Sequence, residues 1–200
     1  MKRLSATLSL LVIGAAGGVA QEASLSPSAT PASLSASAEI SPTPAAKAAS
    51  QPATELYSLD YDETKDVFSK PGTTTPFSGP VISHYDGGTV ESKGTLLNGR
   101  QEGPWVEFYE GGKKSEEGSY HAGVEEGPWK YWFENGQLDS EGAYHTGSPV
   151  GPWSKHFESG KMDSEGSYED GVMNGPWKFY DETTGQVRII TFDHGTQLTH

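Results

Sequence analysis

The chain of 200 residues contains no cysteine. That excludes disulfides, zinc–thiolate sites, thiol nucleophiles and lipid attachment through an N-terminal cysteine. Positive charge is scarce as well: 14 Lys and Arg stand against 27 Asp and Glu, a formal net charge of -13 at pH 7. Phosphate backbones repel such a surface, so neither nucleic acid nor, without a bridging cation, anionic lipid is expected as a partner. Hydrophobic residues make up only 34%, little material for a thick core. Long apolar runs are also missing. The nearest, Leu8 to Ala20, falls short of the roughly 20 residues that a membrane span needs. No Ser sits in a Gly-x-Ser-x-Gly elbow, and no glycine loop opens a helix. Catalytic residues, metal ligands and cofactors are therefore not predicted.

What is present divides into three parts. Lys2 and Arg3 precede the apolar stretch Leu8 to Ala20, which ends in Gly17-Gly18-Val19-Ala20. This is the pattern of a secretory signal peptide cleaved after Ala20, and it predicts a secreted or periplasmic protein. Residues 21–54 are almost all Ala, Ser, Pro and Thr. Such a segment buries too little apolar surface to offset chain entropy, so it reads as a disordered linker. Residues 55–78 are irregular and read as an N-terminal cap with one or two short strands.

Residues 79–200 carry a repeat. Gly79, Gly103, Gly127, Gly151 and Gly175 are each followed by Pro, always 24 residues apart. Trp105, Trp129, Trp153 and Trp177 come next in four of the five, with Val81 in the first. Gly94, Gly118, Gly142 and Gly166 form a second column, Tyr120, Tyr144 and Tyr168 a third, and Gly99, Gly123, Gly147, Gly171 and Gly195 a fourth. A fixed period of this kind marks a repeat architecture.

Each unit reads as a β-hairpin. In the third, Trp129-Lys130-Tyr131-Trp132-Phe133 is rich in strand formers. Asn135-Gly136 then predicts a type I′ turn, and Leu138 to Tyr144 returns. Gly147 marks a second turn, and Gly151-Pro152 stands at the entrance of the next strand. The predicted fold is all-β: an elongated antiparallel meander of about five 24-residue hairpins, about ten strands beginning near residues 81, 90, 105, 113, 129, 137, 153, 161, 177 and 186. Alternation puts Trp129, Tyr131 and Phe133 on one side, with Leu138, Ser140, Gly142 and Tyr144 opposite them. The glycine column makes room for the Trp rings. Glu107 shares the side of Trp105. Asp139, Glu141, Asp163 and Glu165 read as a solvated outer face, with Lys130, Lys155 or Lys178 as pairing partners. Trp132, of opposite parity, is expected on that polar side. His121 and His145 read as exposed turn residues.

Gly-Pro-Trp, an aromatic run, Asn-Gly, a return strand with Glu-Gly-x-Tyr and a closing Gly resemble the MORN-variant repeat, the unit of proteins labelled antitoxin-repeat proteins of the YwqK type. The resemblance covers about residues 68–197 and implies a curved sheet of hairpins that binds or scaffolds rather than catalyses. On this reading the chain is an exported, non-enzymatic protein-interaction module with a protein partner. The alternatives are a carbohydrate- or cell-wall-binding module and an antitoxin-like partner of a toxin. The candidate binding residues are Trp132, Trp129, Trp153, Tyr131 and Phe133. Trp129 and Trp153 are expected to pack mainly against their neighbours, and Trp132 to face a partner.

Overall fold

A computed structural model describes residues 52–199. The expected signal peptide and nearly all of the expected linker lie outside the described residues. Within them the fold is nearly all β, with no α-helix and one short 3-10 turn at Leu56–Ser58. Fourteen strands form one sheet. Its body is five consecutive antiparallel hairpins: Gly79–His84 with Val90–Leu97, Gly103–Phe108 with Lys114–His121, Gly127–Trp132 with Leu138–His145, Ser148–His156 with Met162–Glu169, and Val172–Tyr180 with Val187–Asp193. Thr54–Glu55 joins the first hairpin in parallel, the exception to the antiparallel expectation. Asp60–Asp62 and Val67–Ser69 pair as a separate two-stranded sheet.

The turn at Asn135-Gly136 differs from the sequence expectation. At Asn135-Gly136 only Gly136 has positive φ, at 91°. The Gly136 amide donates to the Phe133 carbonyl at 2.8 Å and the Phe133 amide to the Gln137 carbonyl at 2.9 Å. This is a three-residue loop, a type I turn closed by a left-handed glycine, not a type I′ turn. The type I′ geometry lies at the other turn of each unit. There both central residues have positive φ, as in Thr146 at 49° and Gly147 at 77°, or Asn98 at 52° and Gly99 at 80°. Two-residue loops need that mirror-image turn to match strand twist. The first central position is held by Asn98, Ala122, Thr146, Asp170 and His194 in turn, so the familiar Asn-Gly signal appears there only once.

The strands also begin earlier than expected. Gly151-Pro152 lies inside Ser148–His156, and Gly175-Pro176 inside Val172–Tyr180, rather than at the entrance. Between neighbouring hairpins the ladder breaks at this point: Ala143 is opposite Val150, and the next partner after it is Glu141 opposite Ser154. The proline can sit here because the interrupted ladder asks no N–H of it. A second irregularity falls near the three-residue loop. Tyr131 is opposite Ser140, but Trp132 is opposite Leu138. The extra residue, Asp139, moves Leu138 to the side of Trp132, away from the Ser140–Gly142–Tyr144 row in which alternation placed it.

At the N-terminal end an aliphatic cluster closes the array. Leu56, Leu59, Val81, Leu96 and Trp105 are buried together, with Phe68, Phe77 and Tyr120 packed on them. A fully buried Leu contributes about 1.5–3 kcal/mol, so this cap is a main source of apolar stabilisation at that end.

Candidate functional site

Backbone register places Trp129 opposite Gly142 within its own hairpin. The indole ring nevertheless lies over Gly118, of the preceding hairpin, where an added Cβ would overlap it. Trp153 covers Gly142 and Trp177 covers Gly166 in the same way. Each indole crosses the break in the ladder, and its Nε1 donates to a carbonyl there: Trp129 to Ser119 at 3.2 Å, Trp153 to Ala143 at 3.2 Å, Trp177 to Ser167 at 3.0 Å. The tyrosine column fills the gaps between the indoles edge to face, with Tyr120–Trp129 at 5.0 Å, Trp129–Tyr144 at 6.0 Å and Tyr144–Trp153 at 5.2 Å. Such contacts are worth about 0.5–1.5 kcal/mol each beyond area burial. The result is one continuous aromatic ladder from Trp105 to Trp177.

A second row runs beside the ladder on the same side, because residues paired across strands share a side. In strand order it is Ser83, Ser92, Glu107, Glu116, Tyr131, Ser140, Lys155, Ser164, Phe179 and Arg188. Ser83 and Ser92 are buried and hydrogen-bonded to each other at 2.8 Å. Glu107 and Glu116 follow, two half-buried carboxyls directly opposite each other. Among the described residues no Lys or Arg pairs with either, and Trp105 Nε1 donates to Glu107 Oε1 at 3.2 Å. Burial pushes the Glu116 carboxyl up to about 8, with Glu107 and Glu125 adding repulsion. Burial also raises Glu107. Asp139, the bulge residue, is raised by burial too, and its Oδ1 is buried without a hydrogen-bond partner.

The sequence-predicted residues separate. Trp129 is 2% exposed, which leaves its ring no surface for a partner. Trp153 is half-buried in the same ladder. Tyr131 is half-buried on the ladder side, stacked at 6.0 Å from Trp129, and its hydroxyl donates to that of Tyr144 at 3.2 Å. Phe133 is half-buried and begins the three-residue loop. Trp132 is half-buried beside Leu138, with the Lys114 ammonium 5.7 Å from its ring centre and its carbonyl accepting from the Tyr109 hydroxyl at 2.5 Å. Sequence reasoning placed Glu107 beside Trp105 but missed Glu116. The signal was available, since Glu116 stands two residues before Gly118 and so shares its side.

On the other side of the sheet Lys130 pairs with Glu141 at 2.8 Å and Lys178 with Glu165 at 2.7 Å. These pairs flank a shallow groove of about 720 Å³ lined by Pro128, Pro152, Pro176, Ala143 and Ile189. The turn histidines are paired as well. Glu126 accepts from the Thr146 amide at 2.9 Å and meets His145 Nδ1 at 2.9 Å. Glu102 does the same for Ala122 and His121. These backbone and histidine contacts hold both carboxyls below the usual range. Each Glu thereby fastens one unit to the turn of the next. Among the described residues no group of three or more His, Asp or Glu is arranged to hold a metal, and no helix is long and apolar enough to cross a membrane.

A family model described as MORN repeat variant matches residues 101–122, 125–145 and 149–170, three consecutive units of the array. A search of curated proteins found no match to the chain.

Proposed function

From a chain that carries MORN repeat variant units, we propose an exported, non-catalytic protein-interaction module whose partner lies along the row beside the aromatic ladder. MORN repeats are generally involved in protein or membrane interaction, and the acidic surface argues for protein over anionic lipid. Export rests on the pattern Lys2, Arg3 and Leu8 to Ala20.

One observation carries the reading. The ladder positions repeat from unit to unit and are occupied with building the sheet. The outgoing strands' half of the neighbouring row does not repeat: at the same 24-residue spacing it holds Ser83, Glu107, Tyr131, Lys155 and Phe179, while the return strands keep Ser at 92, 140 and 164. Positions that share a period make the fold; positions on an uncovered side that break it can distinguish one partner from another. A sugar-binding platform is favoured less, because the ladder rings are engaged by one another edge to face. Trp132 offers a second contact surface on the opposite side.

The test places a photo-cross-linking amino acid at 131 or at 132 in the full chain, expressed in its source cell. Protein adducts from 131 are expected in the exported fraction, and mature protein beginning at Gln21. Adducts from 132 alone would move the surface to the other side. Glycan capture with no protein adduct from either position would overturn the reading.

A further inference from the structure

The row beside the ladder has a charge pattern that the ladder does not explain. Glu107 and Glu116 stand directly opposite each other across the second hairpin. Like charges so placed destabilise a sheet, and these two are half-buried with no cation paired to them among the described residues. Glu91, held by the Tyr57 hydroxyl at 2.6 Å, and Glu125, opposite Tyr120, add acid around the pair. Farther along come Asp139, with its buried orphan oxygen, and Asp163. Lys155 and Arg188 are the basic residues of the row; Lys155 stands between the strands of Asp139 and Asp163 and partly offsets Asp139, and Arg188 lies at the far end.

We propose that this uncovered side is a docking surface for an extended, lysine- or arginine-rich segment of a partner protein, laid across the strands from Glu107 and Glu116 past Tyr131 to Asp139. The proposal rests on the interaction reading above and names the chemistry of its partner. Charge complementarity selects the occupant. A second copy of this chain, at -13 net charge, meets repulsion, and anionic lipid meets the same. The spacing suits an extended chain. Strands lie about 4.8 Å apart, so Asp139 stands roughly 12 Å from the Glu107–Glu116 pair, about four extended residues. Asp163 is two strands farther, about three residues. Basic side chains at positions one, five and eight of a segment then meet successive carboxyls, and Tyr131 offers ring surface to an intervening cation.

A cation seated between Glu107 and Glu116 relieves their repulsion and favours the ionised form of both. The groups facing them are Glu91, Glu125, Tyr57, Tyr109, Tyr120, Tyr131, Tyr144 and Trp105, none of them a cation. Docking therefore releases protons below about pH 8 and tightens as pH rises toward that value.

The test is fluorescence anisotropy of the full chain with a labelled decapeptide carrying Lys at positions one, five and eight among Ser and Ala, beside the same peptide with Glu. The Lys peptide is expected to bind and the Glu peptide not to. Glu107→Gln with Glu116→Gln should weaken binding about tenfold. Glu110→Gln with Glu134→Gln, which removes as much charge from exposed turns, should change it less than twofold. Lys155→Glu should tighten it about threefold. Calorimetry in two buffers of different ionisation enthalpy should show proton release that the Glu107/Glu116 variant lacks. Equal weakening by both double variants, or no preference for Lys over Glu, overturns the proposal. Should the Glu107/Glu116 variant melt lower than the parent, Lys155→Glu decides, and failure to tighten binding overturns it. A partner cross-linked at 131 that survives Glu107→Gln with Glu116→Gln refutes the basic segment and leaves the interaction reading standing.

Discussion

The first and last hairpins solve opposite halves of one packing problem. Each indole is buried on a glycine of the preceding unit, so burial passes backward along the chain. The first hairpin has no preceding glycine, and Val81 stands where later units have Trp. Val81 is covered instead by Leu56, Leu59 and Leu96. The last hairpin has Ile190 in the glycine column, opposite Trp177. Trp177 is still buried there, on Gly166. Val187 and Ile189, on the outer strand, are left exposed. Stacking in this array is therefore directional: a unit needs its Trp if something precedes it, and its Gly if something follows.

That comparison can be broken at several points. The largest effect is expected at Trp129→Ala, a loss of about 3–5 kcal/mol, with a smaller loss for Trp153→Ala because Trp153 is only half-buried. Chemical denaturation of the two variants side by side checks it, and equal losses would deny that burial on the preceding glycine decides the cost. Next comes Gly142→Ala, expected to lose about 1–3 kcal/mol because the new methyl meets the Trp153 ring. Ile190→Ala, at the same column in the last unit and opposite Trp177, should lose less.

Glu116→Gln sharpens the contrast between units. A carboxyl held protonated in the fold and ionised in the unfolded chain makes the unfolded state the poorer proton binder. Stability then falls as pH rises from the ordinary Glu range to about 8 and flattens above it. The Gln variant should remove most of that slope and be more stable than the parent at pH 8; melting curves from pH 5 to 9 test the sign. The Glu102 and Glu126 contacts work in the other direction, and their stabilisation fades as pH falls through the lowered carboxyl range. The smallest effect is Thr146→Asn. A β-branched residue at φ 49° is strained, whereas Asn tolerates that conformation, as Asn98 does in the first unit. A gain of about 0.5–1 kcal/mol is expected from equilibrium unfolding.

How far the sequence could be read depended on which property repeats. The 24-residue columns located five hairpins, and Trp129 with Gly142 announced a ring packed on a glycine. They did not say which glycine. Only the break in the ladder at Gly151-Pro152 carries each ring backward by one unit. The turn types misled for a local reason: Asn135-Gly136 is the stronger dipeptide signal, yet the loop there has three residues. The two-residue loop demands positive φ at Ala122 and Thr146, which no propensity scale proposes. Leu138 was placed on the wrong side because the bulge at Asp139 inserts one residue between strands.

The sequence by itself determined that this is an array of β-hairpins with an aromatic spine, since a strict period in strand formers and turn glycines has few other structural solutions. It also carried the pattern of export and the acidic balance that disfavours nucleic acid. Only the tertiary structure decided which rings are spent on the fold and which side chains lie beside them. Burial depends on what stands across the neighbouring strand, and that is set by register. Glu107 and Glu116 are nine residues apart in the chain and look like two of many surface acids; the hairpin puts them face to face, half out of water, and that environment gives them a chemistry that composition does not contain.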